Sequence, residues 1–393
     1  MWIEIEALDT LFFRDGKPFS MGQESWAEGK LFPLPSVLYG ALRSAYLGQH
    51  PECFANLGEL DDVTSNLTIR GIYYRLGGNL YLPQPADLVA RKDRSTKNMR
   101  EPGKPYEIRL LNCSEIETGV YAGASNLEMI PERLLMTGDE VDNRDYGLTS
   151  NVDINTYLQT GAKNIPLQSI DAAEHIVLEP KVGIGKDRIS GSSADGKLYR
   201  VGMKRYDGLS MVVELEGLEL KPEGFLKLGG EGKGAYYRTL QIKDLTADMI
   251  ATPEFNDDAR YFKLYLSTPC AFAQGWLPEW INTGRCEGTY RFANGEKEKE
   301  LNLKLISAVM SRYMLAGGFD IKERRPKPAR RVVPAGSVYY FKLRSGGDMN
   351  DVIQAFHGRA ISELDKEPNR TSNHMLENYH QGFGISYVGV LNL

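Results

Sequence analysis

The alternation of apolar and polar positions predicts a strand followed by a helix at the start of the chain. In MWIEIEAL, Ile3 and Ile5 lie on one face of an extended segment, and Glu4 and Glu6 lie on the other. In PSVLYGALRSAYLG the apolar residues recur at helical spacing, with Ser36 as the N-cap and a glycine at the end. We therefore expect a β-strand that leads into an amphipathic helix.

Similar patterns continue along the chain and then start again. NLTIRGIYYRLGGNLYLPQP predicts a hairpin, and LYRVGMKRYDGLSMVVELEG and the segment from Tyr236 predict further strands. After about residue 250, strands are predicted in ARYFKLYLSTPCAF, LISAVMSRYMLAGGFDI and RRVVPAGSVYYFKLR. GGDMNDVIQAFHGRAI then predicts a helix, and HQGFGISYVGVLNL predicts a last strand. The order strand, helix, hairpin, helix, glycine turn, strand would thus occur twice.

This order is that of the β-α-β-β-α-β unit of ferredoxin-like and RNA-recognition-motif-like domains. We expect an α+β fold with two such domains, residues 1–250 and 251–393. Gly229–Gly234 and Gly382–Gly384 would be corresponding turns, each between the second helix and the fourth strand. The first domain would also contain an irregular insertion at about 84–175, because that region is too long for a simple connection.

Composition limits the classes of protein to which the chain can belong. It has 393 residues, of which 42% are hydrophobic and 25% charged, as is ordinary for a globular protein. A net charge of −5 argues against a protein that coats nucleic acid indiscriminately, but it leaves room for a local basic groove. The four cysteines form no CxxC pair, so we expect no metal, disulfide framework or cofactor. A basic leader and long apolar runs are absent, so we expect no membrane contact and a cytoplasmic location.

Basic residues are concentrated in three segments of this acidic protein. Residues 91–109 and 181–205 each hold seven basic residues, and residues 321–331 hold six. The second segment would form a basic β-hairpin in the first domain, with its turn at Asp195–Gly196. Together the segments indicate a focused anion-binding track, whereas the alternative for any single segment is a solvated loop.

A glycine-rich loop lies in FLKLGGEGKGAYYR, where Gly229–Gly234 holds four glycines and a lysine. It is not a P-loop, because Gly234 follows the Gly-Lys pair and Lys227 stands at the earlier glycine position. Nor is it a dinucleotide fingerprint, since Tyr237 stands where the third glycine would be. Two interpretations remain: a loop whose exposed N–H groups bind phosphate, or a tight turn between two elements.

Five stretches of the sequence carry a resemblance to a known family. They are LDTLFFRDGKPF at 8–19, PSVLYGALRS at 35–44, VGIGKDRISGSSADGKLYR at 182–200, LGGEGKG at 228–234 and VPAGSVYYF at 333–341. The chain resembles the RAMP superfamily and, more narrowly, the third-subunit family of the Cmr module, the type III-B CRISPR effector. The resemblance spans nearly the whole chain. It implies two ferredoxin-like domains and a protruding β-hairpin.

The resemblance also implies a function in antiviral defence. Subunits of this kind cap the foot of the complex and grip the repeat-derived 5′ tag of the CRISPR guide RNA (crRNA). They dock on the large polymerase-like subunit, beside the backbone RAMP subunits. We therefore expect a non-catalytic RNA-binding scaffold subunit whose partners are the crRNA 5′ tag and these neighbouring subunits.

Binding a fixed RNA end needs cations and backbone N–H groups for the phosphates, and aromatic faces for splayed bases. Tyr236 and Tyr237 are candidates for stacking. The candidate RNA-binding residues are cations and glycines in the motifs and basic segments: Arg14, Arg43, Lys186, Arg188, Lys197, Arg200, Lys204, Arg205, Gly229, Gly230, Gly232, Lys233, Gly234, Arg324, Arg325, Arg330 and Arg331. For Arg43 the alternative is a structural salt bridge.

The chain is not expected to be an enzyme, although an alternative stays open. None of its five histidines falls in the first strand–helix region, and His374 and His380 near the second glycine turn are more often structural. Asp9 and Asp15 lack metal partners in the sequence and form a weak nuclease signal. The alternative function is a metal-independent endoribonuclease that processes CRISPR precursor RNA.

An apolar segment, AFAQGWLPEWI at 271–281, is a candidate partner surface, because aromatic side chains such as Trp276 and Trp280 dominate interfaces. The alternative is that this segment covers the core of the second domain.

Overall fold

The computed structural model describes most of the chain, in the following ranges: 1–14, 26–27, 29–57, 59, 61–91, 104–115, 133–137, 140–142, 145–161, 165–186, 192–241, 249–320, 325–363 and 380–392. Strands dominate these residues, and helices are few. The fold is therefore a strand-rich α+β fold, in agreement with the expected class.

The strands are, in chain order, β1 Trp2–Ala7, β2 Trp26–Ala27, β3 Thr68–Leu76, β4 Asn79–Pro83, β5 Leu88–Arg91, β6 Tyr106–Leu110, β7 Asn112–Glu115, β8 Arg133–Met136, β9 Val141–Asp142, β10 Gly147–Ser150, β11 Leu167–Asp171, β12 Ile176–Lys186, β13 Ser193–Tyr206, β14 Leu209–Glu216, β15 Glu223–Lys227, β16 Gly234–Leu240, β17 Tyr261–Leu266, β18 Ile281–Asn282, β19 Glu287–Asn294, β20 Lys297–Val309, β21 Met314–Asp320, β22 Arg325–Val332, β23 Val338–Ser345, β24 Arg359–Ala360 and β25 Ile385–Val390. The α-helices are α1 Pro35–Gln49, α2 Asn151–Thr160 and α3 Met349–Phe356, and 3-10 turns occur at Pro51–Asn56, Val63–Asn66, Ala172–His175 and Gly230–Gly232.

The large sheet of the first half has eleven strands in the order β15-β16-β1-β14-β3-β4-β10-β11-β6-β5-β9. Helix α1 follows β1 as predicted and buries Leu38 and Leu42. It begins at Pro35 with Leu34 in the N-cap position, so the prediction of Ser36 as the cap was wrong. Proline suits the first helical turn because its missing N–H would have no partner there.

The predicted second helix of the first half is absent from residues 217–233, all of which the structure describes. Strand β15 occupies that place and pairs with β16, so the glycine loop is the turn of a hairpin and does not follow a helix. Apolar residues alternate with polar or glycine residues before the loop, with Leu226 and Leu228 buried, and this period of two suits a strand.

The predicted insertion is more regular than we expected. Its described residues include β5, β6, β9, β10 and β11, which extend the large sheet beyond β4. Helix α2 also lies in this region. The Ser150 hydroxyl caps it by accepting from the Asp153 N–H at 3.1 Å, and Gly161 ends it with φ 72°. The prediction of an irregular region was therefore wrong for these residues.

The second half contains a seven-stranded sheet in the order β18-β19-β20-β23-β17-β25-β24. Helix α3 packs beside it, buries Val352 and Phe356, and begins at a capping box formed by Asp348 and Asp351. The predicted helix of this half is confirmed, and so are the strands in ARYFKLYLSTPCAF and HQGFGISYVGVLNL. The other two predicted strands are each divided: LISAVMSRYMLAGGFDI into β20 and β21 after Val309, and RRVVPAGSVYYFKLR into β22 and β23 after Val332. No α-helix occurs between β17 and β20 in residues 267–296, so the second half has only α3 of the two helices of the expected unit.

The two halves pack together through a shared core. The hydroxyl groups of Tyr73 and Tyr387 lie 3.0 Å apart, and the Tyr265 hydroxyl donates to the Pro83 carbonyl at 2.6 Å. The buried Asp87 carboxylate, which belongs to the insertion, accepts from Tyr340 of the second half at 2.8 Å. Among the helices in the described ranges, none is long and apolar enough to cross a bilayer.

Candidate nucleic-acid interface

The glycine-rich loop owes its composition to a close contact with the segment that follows β1. Gly229 and Gly232 have φ angles of 77° and 65°, which favour glycine. The Gly230 N–H donates to the Phe12 carbonyl at 2.8 Å, and a Cβ on Gly229 would stand 2.6 Å from that oxygen. Of the two interpretations of the loop, a tight turn therefore accounts for Gly229 and for the amide of Gly230.

Two ion pairs flank this turn. The Lys233 ammonium donates to Asp9, and the Lys181 ammonium donates to Glu231, which itself has a φ of 61°. The hydrogen bonds from Lys233 and from the Thr10 N–H lower the pKa of the Asp9 carboxyl. An RNA phosphate at Lys233 would have to compete with Asp9, so this predicted contact stays a prediction. Gly234 lies beyond the turn, at the first position of β16.

The first basic hairpin consists of β12 and β13, which pair from Ile176–Tyr206 to Lys186–Ser193. The prediction of a turn at Asp195–Gly196 was wrong, because both residues belong to β13. Two of its predicted cations are exposed: Arg200, and Arg205, whose guanidinium pairs with Glu179. Lys186 and Lys197 are described only by their backbone, and Arg188 lies outside the described residues.

Two of the predicted RNA-binding cations are engaged inside the fold. Lys204 is only 4% exposed, donates to the Gly202 carbonyl at 3.0 Å and lies above the Phe12 ring. Arg43 pairs with the buried Asp62 at 3.0 Å and donates to the Thr64 hydroxyl at 2.9 Å. Each would have to leave these contacts to reach an RNA phosphate. The salt-bridge alternative for Arg43 is thus the arrangement that the structure has.

A second basic hairpin is formed by β21 and β22 in the second half. Arg331 is exposed, and its guanidinium carbon lies 4.7 Å from the centre of the Tyr313 ring. Arg330 is half-buried on the same strand. Arg325 is described only by its backbone, and Arg324 lies outside the described residues.

The segment 29–31 joins the two hairpins to the glycine loop. The Lys30 N–H donates to the Phe13 carbonyl at 2.7 Å, and the Lys30 ammonium donates to the Leu315 carbonyl of β21. The Leu31 carbonyl accepts from the hydroxyl of Tyr206, at the base of the first hairpin, at 2.5 Å. We missed these residues in the sequence because contacts between positions as distant as 30 and 315 leave no local pattern.

These contacts bring two of the three basic segments together. Arg14 is exposed and directly follows Phe13, which is bridged to Lys30. The third segment is elsewhere: Arg109 is on β6 and pairs with Glu107, seven strands from β16 in the large sheet. At about 4.8 Å per strand this separation is roughly 30 Å. The described parts of residues 181–205 and 321–331 are therefore connected through segment 29–31, whereas the described part of 91–109 lies elsewhere; the single track stays a prediction.

The model of the CRISPR-associated protein family Cas_Cmr3 matches residues 3–389. The chain belongs to this family. The resemblance found in the sequence motifs is thus confirmed, and the protein is a RAMP-like subunit of the Cmr type, from the type III-B CRISPR complexes. The matched range includes the glycine loop, both basic hairpins and the joining segment 29–31.

Three solved structures match most of the chain at low identity. A chain of the type III-B Cmr-beta bound to cognate target RNA has 13% identity and a TM-score of 0.46, with coverage of 90% of this chain and 89% of that chain. A chain of Cmr-beta bound to cognate target RNA and AMPPnP, state 1, has 12% identity and a TM-score of 0.45, with 86% of both chains covered. A chain of the Csm3-Csm4 subcomplex of the type III-A CRISPR-Cas interference complex has 11% identity and a TM-score of 0.34, with 88% and 94% covered. No curated protein matches the sequence.

Of the candidate catalytic residues, the structure describes Asp9, which pairs with Lys233, and His380. The His380 ring lies 2.8 Å from the Thr68 hydroxyl, and the His380 carbonyl accepts from the Ile69 N–H at 2.9 Å, so this residue connects the second glycine turn to β3. His374 and Asp15 lie outside the described residues. Within the described ranges, no three His, Cys, Asp or Glu side chains are grouped so that they could hold a metal ion.

The apolar segment 271–281 mostly packs inward. Leu277 and Ile281 are fully buried, and the Trp280 ring lies 5.6 Å from Phe341 and 5.5 Å from Tyr290. This packing agrees with the alternative that the segment covers the core of the second half. The two candidate stacking residues also differ: Tyr237 is fully buried beneath α1, whereas Tyr236 is half-buried and lies 5.8 Å from the exposed ring of Phe225.

Proposed function

We propose that this chain is a non-catalytic RNA-binding scaffold subunit of a type III-B CRISPR effector, and that it anchors the 5′ tag of crRNA. The observation that carries the proposal is the contact chain from the glycine loop through Phe13 and Lys30 to Leu315. It links segments of both halves that carry exposed cations, and we propose that these cations form one surface. Family membership supplies the effector context, and docking on the large polymerase-like subunit and the backbone RAMP subunits belongs to the same proposal.

The RNA strand would follow the exposed cations of this surface. Arg14, Arg200 and Arg331 are exposed, so phosphates could reach them from solvent. Lys181, Lys233 and Arg205 already pair with carboxylates and would contribute less, because binding there replaces one anion by another. We also propose that the two sheets are incomplete ferredoxin-like units: the first lacks a helix in residues 217–233, and the second lacks one between β17 and β20.

Binding of RNA by the full-length chain tests this function. The probe is a short single-stranded RNA with the 5′-tag sequence, compared with a scrambled RNA of the same length, at several salt concentrations. Removing one phosphate contact should lower the slope of log affinity against log salt by about 0.7. Arg200→Ala and Arg14→Ala should each show this loss. Arg291→Ala is the matched control, because Arg291 is 66% exposed on β19 and paired with Glu300. Equal affinity for both RNAs, or unchanged slopes in Arg200→Ala and Arg14→Ala, would contradict the proposal.

The endoribonuclease alternative has its own test. Repeat-containing precursor RNA is incubated with the purified protein without added metal, and we expect it to stay intact. Specific cleavage that disappears in His374→Ala or His380→Ala would favour the enzyme. The contact of His380 with Thr68 supports a structural role for that histidine.

A further inference from the structure

Tyr313 is an aromatic side chain in an unusual position. It lies between the end of β20 at Val309 and the start of β21 at Met314, and it is 57% exposed. The guanidinium of Arg331 stacks on it, with the carbon 4.7 Å from the ring centre. Arg331 is itself exposed, as is Arg312 directly before the tyrosine. The ring therefore has a cation on one side and solvent access on more than half of its surface.

Packing does not explain this placement. Most tyrosines in the core of this protein bury the ring and bond the hydroxyl, as Tyr265 and Tyr340 do. Tyr313 instead belongs to neither of the two large core clusters. An exposed ring beside arginines matches what unpaired bases require, since a planar aromatic or guanidinium surface stacks on any base and a cation holds the neighbouring phosphate.

We propose that Tyr313 and Arg331 form a stacking site for one unpaired base of single-stranded RNA, with Arg312 beside the adjoining phosphate. The inference rests on the proposed function and adds to it a base-binding position in the second half. Tyr313 was not among the residues that the sequence suggested.

The site continues the surface that begins at the glycine loop. Arg331 is paired with Leu315 in the hairpin, and the Leu315 carbonyl accepts from the Lys30 ammonium. Lys30 in turn bonds to Phe13, which precedes the exposed Arg14. Because Arg14 and the Tyr313–Arg331 pair are linked through Lys30 and Leu315, we expect one RNA strand to contact both.

The test uses the full-length chain and the 5′-tag RNA, with 2-aminopurine substituted at each position in turn. Stacking on an aromatic ring should quench the fluorescence of one position, and Tyr313→Ala should abolish that quenching. Tyr313→Ala should also weaken binding by about 5- to 150-fold, the usual effect of losing one base-stacking contact. Tyr313→Phe keeps the ring and should bind within about twofold of the wild type. The salt slope should not change in either variant, because no phosphate contact is lost.

Two further variants separate stacking from charge. Arg331→Lys keeps the positive charge but loses the planar guanidinium group. We therefore expect the dependence of RNA affinity on salt to stay the same while the affinity itself falls. Phe54→Ala is the matched control: Phe54 is 56% exposed in the 3-10 turn Pro51–Asn56, outside the glycine loop and both basic hairpins, and its removal should leave affinity unchanged. Thermal melting should be unaffected in all of these variants because the replaced side chains are exposed.

The outcomes distinguish this inference from the proposed function. If Arg200→Ala lowers the salt slope while Tyr313→Ala binds like the wild type, the stacking site is refuted and the RNA-binding function stands. Equal losses in Tyr313→Phe and Tyr313→Ala would also refute stacking, since the ring is present in one of them. If neither Arg200→Ala nor Tyr313→Ala changes binding, both proposals are refuted.

Discussion

Replacing Gly229 by alanine should destabilise the protein far more than the same change at Gly232, three residues away. Both glycines have a positive φ, so alanine at either position carries a backbone cost of about 1 kcal/mol. At Gly232 nothing lies within 4 Å of the new Cβ. At Gly229 the Cβ would stand 2.6 Å from the Phe12 carbonyl oxygen, a backbone atom that can move only with its segment.

The magnitude at Gly229 has three parts. To the backbone cost we add about 1–3 kcal/mol for forcing the loop away from Phe12. Losing the hydrogen bond from the Gly230 N–H to that carbonyl adds about 1 kcal/mol. The expected loss is therefore about 3–5 kcal/mol for Gly229→Ala, against about 1 kcal/mol for Gly232→Ala.

Urea unfolding of the full-length chain, followed by tryptophan fluorescence and circular dichroism, measures both variants. If the two probes give the same unfolding transition, and the dependence of the unfolding free energy on urea is the same in both variants, their urea midpoints can be compared directly. Gly232→Ala is the matched control because it has the same strain without the close contact. Equal midpoints for the two variants would refute the view that the glycine loop exists to approach Phe12.

Three more predictions concern other parts of the fold. Burial lowers the pKa of Lys263 to about 8, so the unfolded chain binds more protons than the folded chain between pH 8 and 9.5. The free energy of unfolding should therefore rise with pH in this range, by up to about 1.4 kcal/mol per pH unit. Lys263→Met should lack this rise in urea titrations, and equal pH profiles for the variant and the wild type would contradict the prediction. Trp280→Ala should lower the free energy of unfolding by about 3 kcal/mol while leaving subunit assembly intact, and a variant with normal melting and lost assembly would reverse this assignment. Lys233→Ala should weaken RNA binding less than Arg200→Ala, because Asp9 already neutralises Lys233. Asp9→Asn should strengthen RNA binding for the same reason. A larger loss of affinity in Lys233→Ala than in Arg200→Ala would contradict this prediction.

The elements with strong local patterns could be predicted from the sequence. Strand β1, helix α1 and helix α3 follow from their apolar spacing, and α3 has in addition the capping box of Asp348 and Asp351. The second helix of the first half was expected from the order of elements alone. The spacing of two between the buried residues Leu226 and Leu228 instead favours a strand, and a strand is what the structure has there.

The candidate site was only partly predictable, because exposure depends on tertiary contacts. Lys204 and Arg200 are both cations of one strand, yet the contacts with Gly202 and Phe12 bury the first and leave the second exposed. Arg43 likewise depends on Asp62, which lies in a different element. Lys30 and Tyr313 carried no motif. Lys30 matters through its contact with Leu315, 285 positions away, and Tyr313 through its ring contact with Arg331 in the second hairpin.

A map of RNA–peptide cross-links in the assembled effector complex tests the central claim most directly, namely that one surface formed by both halves holds the crRNA 5′ tag. We predict cross-links from tag nucleotides to residues 11–14, to the described part of the first hairpin at 198–206, and to residues 312–331. Cross-links confined to residues 104–115, on β6 and β7, would contradict the account. So would a tag that cross-links only to neighbouring subunits.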